Sequence, residues 1–264
     1  MTLEEILADK NLAIHKKKSE MQKTDFTNIL FDTASKAFDN SISKLEVLIY
    51  EATIKKDRNE FMFNQYKNGY VLNHSVGMRY VKIFFCYNNE APDYASDKAN
   101  WDKYYSDVLN KEDADKAGYF WAVTEAKNIE GSAVVKGSNP LTPVLSVEII
   151  DDETIKVKCA ISPSNVLDSH KDVHIPGIWK KSKNENNYDI FLQEHSMDFK
   201  NVITDSQSGE LKVYTEMIDV KELMSKFKVS RKNIEAVDDT SKIEPSDDTQ
   251  KVNEGKSLNI YSFN

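Results

Sequence analysis

The chain has 264 residues, 40% hydrophobic and 30% charged, with a formal net charge of −8. That length and apolar content suffice for one substantial core or two small ones. The acidic balance argues against a sequence-independent nucleic-acid binder, which needs a basic surface. No apolar run approaches the roughly 20 residues that span a bilayer. The start, Met1-Thr2-Leu3-Glu4-Glu5, is acidic and lacks an apolar stretch behind a basic segment, so it does not read as a secretory signal.

In chain order, residues 1–44 form a polar extension with helical spacing through Leu3, Ile6, Leu7 and Ile14, and again through Phe26, Ile29, Leu30, Ala34 and Phe38. Lys16-Lys17-Lys18 reads as a solvated face. Residues 45–54 are rich in β-branched and aromatic residues and predict a strand. Asp57 is positioned to cap a helix that runs to about Lys67 and stops at Gly69. A strand is expected from Tyr80 to Tyr87. Residues 88–117 read as an acidic insertion with a turn at Pro92 and a helix around Trp101, Tyr104, Tyr105, Val108 and Leu109. Strand candidates follow at 119–126, 131–136, 144–150, 154–162 and 188–193, with a short helix from Gly177 to Lys183. A hairpin is expected for 199–205 and 210–218 around Gln207-Ser208-Gly209, then a helix from Val220 to Phe227. From 228 to 264 the composition is polar and reads as disordered, with an apolar tip at 258–263. Cys86 and Cys159 lie in apolar, strand-like runs and read as buried free thiols, which suits a reducing cytoplasm. Two cysteines so far apart form no metal motif. Many short strands with few helices predict an α+β fold, a β-barrel or a curled, mostly antiparallel sheet flanked by helices.

Two blocks carry candidate chemistry. The first is Tyr66-Lys67-Asn68-Gly69-Tyr70-Val71-Leu72-Asn73-His74-Ser75-Val76-Gly77-Met78, followed by Ile129-Glu130-Gly131-Ser132-Ala133-Val134-Val135 and Gly137-Ser138-Asn139-Pro140. The second is Leu167-Asp168-Ser169-His170-Lys171-Asp172-Val173-His174-Ile175-Pro176-Gly177, followed by Phe191-Leu192-Gln193-Glu194-His195. Periodicity does not make Ser75 a nucleophile: a serine needs a base to take its proton and a third group to hold that base. Its bland alternative is a small residue packing at a strand start. Asp168, His170, Asp172 and His174 alternate, so in an extended segment all four would share one face. That leaves open a metal site as well as turn-shaping hydrogen bonds.

Together the two blocks resemble the prohead (capsid maturation) serine proteases of tailed bacteriophages, whose fold is related to herpesvirus assemblin. The resemblance covers roughly residues 45–226. In that family the Asp-rich turn and histidine come first and the serine and glutamate follow. Here the halves, 45–143 and 144–227, are exchanged, so the chain resembles a circularly permuted member. The resemblance implies Ser75 as nucleophile, His195 as base and Glu130 as the group orienting His195, with Glu125 as rival for the last role. Gly131 and Ser132 stand where the family often has an aliphatic residue and a serine. Asp168 and Asp172 are implied to shape a turn. His74 adjoins Ser75, but adjacent strand residues point to opposite faces, and His15 reads as a solvent-exposed residue of a basic helical segment.

By the same resemblance the expected activity is endopeptidase cleavage of scaffolding protein or major capsid protein. It would run inside the immature capsid in the host cell cytoplasm, with self-cleavage and without cofactor, metal, nucleic acid or membrane. A second reading is a non-enzymatic capsid assembly or scaffolding protein that keeps the protease fold. A third is a metal-dependent hydrolase built on Asp168 to His174.

Overall fold

The computed structural model describes residues 41–185 and 188–226. Most of the N-terminal extension, Phe227 and the segment 228–264 lie outside the described residues.

The first strand, β1 (Lys44–Lys55), is where the core is organised. Leu45, Val47 and Ile49 enter one apolar cluster, whereas Leu48, Tyr50, Ala52 and Ile54 enter another. This is the strict alternation of a strand buried on both faces, and the pairing with the partner strand carries a β-bulge opposite Leu48 and Ile49. A strand buried on both sides must be central, and β1 pairs antiparallel with both β5 (Thr154–Pro163) and β9 (Leu211–Asp219). With β4 (Val144–Ile149) the order is β4-β5-β1-β9.

Helix α1 (Glu60–Lys67) follows β1. Its cap is Asn59, whose side chain accepts the Met62 N–H at 3.0 Å, rather than the expected Asp57. The chain leaves the helix through Gly69 at φ +73°. Met62, Phe63 and Tyr66 turn inward, as the spacing requires.

The second sheet is built on a long antiparallel pair, β2 (Asn73–Tyr87) and β3 (Tyr119–Val134). β2 starts seven residues before the expected Tyr80. β3 joins the two expected strands 119–126 and 131–136 into one, because the polar residues between them find partners inside. Asn128 donates to Tyr50 Oη at 2.7 Å and to Asp189 Oδ1 at 3.0 Å. The insertion 88–117 links the far ends of β2 and β3. It carries a helical turn at Pro92–Tyr94, α2 (Ala95–Tyr104), a second turn at Tyr105–Asp107 and α3 (Lys111–Ala117). Trp101, Tyr104 and Val108 cover one face of the pair at Cys86, Phe120 and Ala122.

Short β6 (Asp172–His174) and β7 (Ile190–Gln193) both run parallel to β3, with helix α4 (Lys180–Glu185) between them in sequence. β8 (Val202–Asp205) adds antiparallel to β7, giving the order β2-β3-β7-β8 with β6 also on β3. The largest core cluster lies between the sheets, joining Tyr50 and Val157 from one to Val123, Ala133 and Phe191 from the other, with Trp179 and α1.

The fold is therefore α+β with mostly antiparallel sheets and few helices. The two sheets do not close into a barrel. The expected 199–205/210–218 hairpin does not form either. Its turn is present, with Gly209 at φ +78° and Ser208 N–H on Asp205 Oδ1. The flanking strands diverge because Val202 belongs to the cluster on β7 and Leu211 to the inter-sheet core. Residues 220–226 are helical, and Val220 and Leu223 pack on the β1 cluster. The two ends of the described chain meet: Lys44 pairs with Asp219, and Val220 N–H donates to Ser43 O at 3.0 Å.

Two histidines are structural pins of this core. His74 is fully buried, with Tyr66 Oη at 2.9 Å from Nε2 and Thr142 O at 2.8 Å from Nδ1. It thus ties α1 to the β3–β4 connection. His174 is bonded through Nδ1 to Ser162 Oγ at 2.7 Å. Burial lowers both imidazoles to about 4. Between that value and an unfolded pKa of about 6.5, the unfolded chain binds more protons, so stability falls as pH drops through this interval. Urea titrations are expected to show progressive loss of unfolding free energy from pH ~6.5 to pH ~4, with a shallower dependence in His74→Gln. A flat profile would contradict the assignment of neutral, buried rings.

Candidate active site

The β2–β3 register sorts this region into two faces. On the core side lie His74 and its partner Ala133, together with Gly131, whose missing Cβ would sit 2.5 Å from Tyr50 Cε2. On the opposite side lie Ser75 with its partner Ser132, and Gly77 with its partner Glu130. Alternation along a strand requires this separation, and it places His74 away from Ser75 as the sequence predicts. A register shift at Gly77/Met78 leaves Ile129 without an opposite residue, and Ile129 is exposed. This bulge sits next to Glu130, where bulges commonly re-aim a side chain.

Glu130 is 3% exposed. Its Oε1 lies 2.6 Å from His195 Nδ1, and its Oε2 accepts the Ser132 hydroxyl at 2.5 Å. The carboxylate lies over Gly77: a Cβ there would meet Oε1 at 2.1 Å. Only glycine opposite Glu130 leaves room for the side chain in this position.

His195 reaches the carboxylate through an unusual backbone. β7 pairs with β3 up to Ala133↔Gln193 and Glu194 N–H still donates to Ala133 O at 2.9 Å. Glu194 and His195 then take φ +50° and +56°. Non-glycine residues in this region are strained, and two in succession are held by surrounding bonds. Glu194 Oε1 accepts Val135 N–H at 2.6 Å, and Ser132 Oγ accepts His195 N–H at 3.1 Å. The left-handed pair folds the chain back, so the ring comes over Glu130 instead of running on past the strand end.

The bond to Glu130 raises the His195 pKa, outweighing the opposing effect of partial burial. Glu194 adds a smaller favourable charge. Any stability from this pair is complete below the unfolded pKa of about 6.5 and is lost as pH rises through the raised folded value. Nε2 has no hydrogen-bond partner among the described residues, and the ring is part-exposed. Ser75 is partly exposed and its hydroxyl likewise has no partner there, so the Ser75–His195 hydrogen bond is not made. Catalytic hydrogen bonds often tighten only with substrate bound.

The other expected candidates sit elsewhere. Glu125 pairs with Lys181 at 3.1 Å on the surface and does not reach His195. Asp168 to Lys171 is a tight turn with Lys171 at φ +69°, not an extended run. Asp168 Oδ1 accepts the N–H groups of His170 and Asp172 and so shapes the turn, while the Asp172 carboxylate accepts the Tyr80 hydroxyl and ties the turn to β2. Among the described residues no group of three or more His, Cys, Asp or Glu is arranged to hold a metal ion. His15 lies outside the described residues. Sequence reasoning did not find the Ser162–His174 pair, which is buried in the core. It also assigned no role to Gly77 or Ser132, although both stand in the quoted motifs. Their shared face becomes visible only when the register is known.

No family model matches the chain, and neither a curated protein nor a solved structure matches it. Among the described residues no helix is long and apolar enough to cross a membrane.

Two measurements check this geometry. The His195 ring, followed by NMR, is expected to titrate above the ordinary value of about 6.5, and in Glu130→Gln its midpoint should fall. Gly77→Ala should lower it as well, because the methyl displaces the carboxylate. An unchanged midpoint in Gly77→Ala would contradict the close approach.

Proposed function

We propose that the chain is a serine endopeptidase of the prohead maturation type, with an assemblin-like fold in circularly permuted order. Its substrates are scaffolding protein or the major capsid protein inside the immature phage capsid, in the host cell cytoplasm. One observation carries this reading. Glu130 and His195, 65 residues apart in sequence, form a 2.6 Å carboxylate–imidazole bond on the sheet face that Ser75 shares.

In this mechanism the Glu130 bond fixes His195 with Nδ1 as the protonated nitrogen and leaves Nε2 as acceptor. Nε2 takes the Ser75 proton as Oγ attacks the scissile carbonyl. The resulting imidazolium is stabilised by Glu130 and then gives its proton to the leaving amine. Water repeats the sequence in the opposite sense to release the acyl group. The part-exposed position of Ser75 and His195 on an open sheet face suits a polymeric substrate.

A fluorophosphonate probe is expected to label the wild-type protein and not Ser75→Ala. Ser75→Ala and His195→Ala should abolish cleavage of cognate capsid or scaffolding protein, with Glu130→Gln losing less, since it removes orientation and not the nucleophile. Activity should rise with pH through a midpoint above about 6.5, where the raised His195 becomes neutral. Cleavage of cognate protein by Ser75→Ala at the wild-type rate would sink the assignment. A chain that takes no label and cleaves nothing would instead be the scaffold that retains the fold.

The permuted order has its own check. Because Lys44 and Asp219 are paired, the ends that family order would join are already neighbours. A chain opened between Pro143 and Val144, with Asn264 fused to Met1, is expected to fold cooperatively and keep the raised His195 titration. Failure of that chain to fold, where the natural chain does, would argue for separate units in their present order.

A further inference from the structure

We infer that Ser132 is a positioning residue of the site, whose hydroxyl locks the Glu130 carboxylate and the His195 backbone into a single arrangement. This deepens the proposed function and rests on it for the effect on cleavage; the hydrogen-bond relay is a property of the folded chain.

Three observations place it there. Ser132 is fully buried, so it cannot itself meet a substrate. Its hydroxyl donates to Glu130 Oε2 at 2.5 Å while its oxygen accepts His195 N–H at 3.1 Å. A serine hydroxyl has one proton and two lone pairs, so it can do both at once. It also lies opposite Ser75 in the β2–β3 register, on the face that carries the nucleophile. One side chain thus touches the orienting group and the main chain of the base, next to the serine they serve.

The physical role follows from burial. Of the two Glu130 oxygens, Oε1 faces His195 and Oε2 has the Ser132 proton. Without that proton a buried anionic oxygen loses its donor, and unsatisfied buried charge is costly. The carboxylate then depends more heavily on the protonated imidazole, so the imidazolium form is favoured over the neutral ring. The acceptor for His195 N–H is lost at the same time, at a residue whose left-handed backbone is held by such bonds. The charged groups bearing on the ring are Glu130 from β3 and Glu194 beside it; Ser75 and Gly77 on β2 carry none.

The test uses the full-length protein and reads the His195 ring by NMR alongside the pH profile of cleavage. Ser132→Ala should raise the His195 midpoint, the direction opposite to Glu130→Gln. It should lower kcat with little change in KM, because positioning is lost and not substrate binding. In a Glu130→Gln background the same substitution should leave the midpoint where Glu130→Gln alone puts it. Ser132→Cys keeps the volume but offers a weak donor, and should shift the midpoint the same way by less, which preserves the test if the alanine variant does not fold. A midpoint unmoved by Ser132→Ala or Ser132→Cys, or an equal shift with and without Glu130, would overturn the inference while leaving the endopeptidase reading intact. A Ser132-dependent midpoint in a protein that cleaves nothing would support the relay and count against the endopeptidase reading alone.

Discussion

An ionised carboxylate is tolerated away from water only where its oxygens find donors. Glu130 meets that condition with one hydroxyl, one imidazole and the empty space above one glycine. The geometry of the site follows from this requirement. Gly77 must lack a side chain, Ser132 must face its partner across two residues of strand, and the chain after β7 must turn back. That last demand is met by two consecutive left-handed residues, held at both ends by bonds to β3 and the segment after it.

The same strand pair divides polar residues between opposite tasks. His74 and Ser75 are neighbours in sequence and belong to different sides of the sheet. His74 is sealed against Tyr66 and Thr142, where burial keeps it neutral and structural. Ser75 lies on the face of Glu130. His195 and His174 make a similar contrast: one is part-exposed and raised by a carboxylate, the other buried and lowered. Environment, not residue type, separates a prospective base from a core pin.

The core joins the two halves of the chain through one sheet. β1 is sandwiched between β5 from the second half and β9 from its end, so the sheet is knit from distant segments. What matters for such a sheet is the pairing of strands, and chain order enters only through the length of the links. The β3–β4 connection is short and anchored by Thr142, while Ser43 and Val220 meet at the opposite ends of their strands.

Much was legible in the residues alone. β1, α1, β4, β5 and the first helix of the insertion, α2, were visible because apolar spacing, a Gly stop and a Pro start are local signals, whereas α3 was not expected and the helix expected to run through Val108 and Leu109 ends at Tyr104. The motifs around Ser75, Glu130 and His195 were visible as short strings. Less was legible where long-range pairing overrides local cues. Asn128 and Glu130 look like a break between two strands until Tyr50, Asp189 and His195 supply partners. The turn at Gly209 looks like a hairpin until its strands join different sheets. Asp168 to His174 looks like one polar face until Lys171 turns the chain. The sequence by itself determined which side chains were available and which segments were extended or helical. The tertiary structure alone decided that Glu130 bonds His195, that Ser132 joins them and that Gly77 makes room. Those relations depend on strand register and on a bulge, which arise from contacts between residues far apart in the chain.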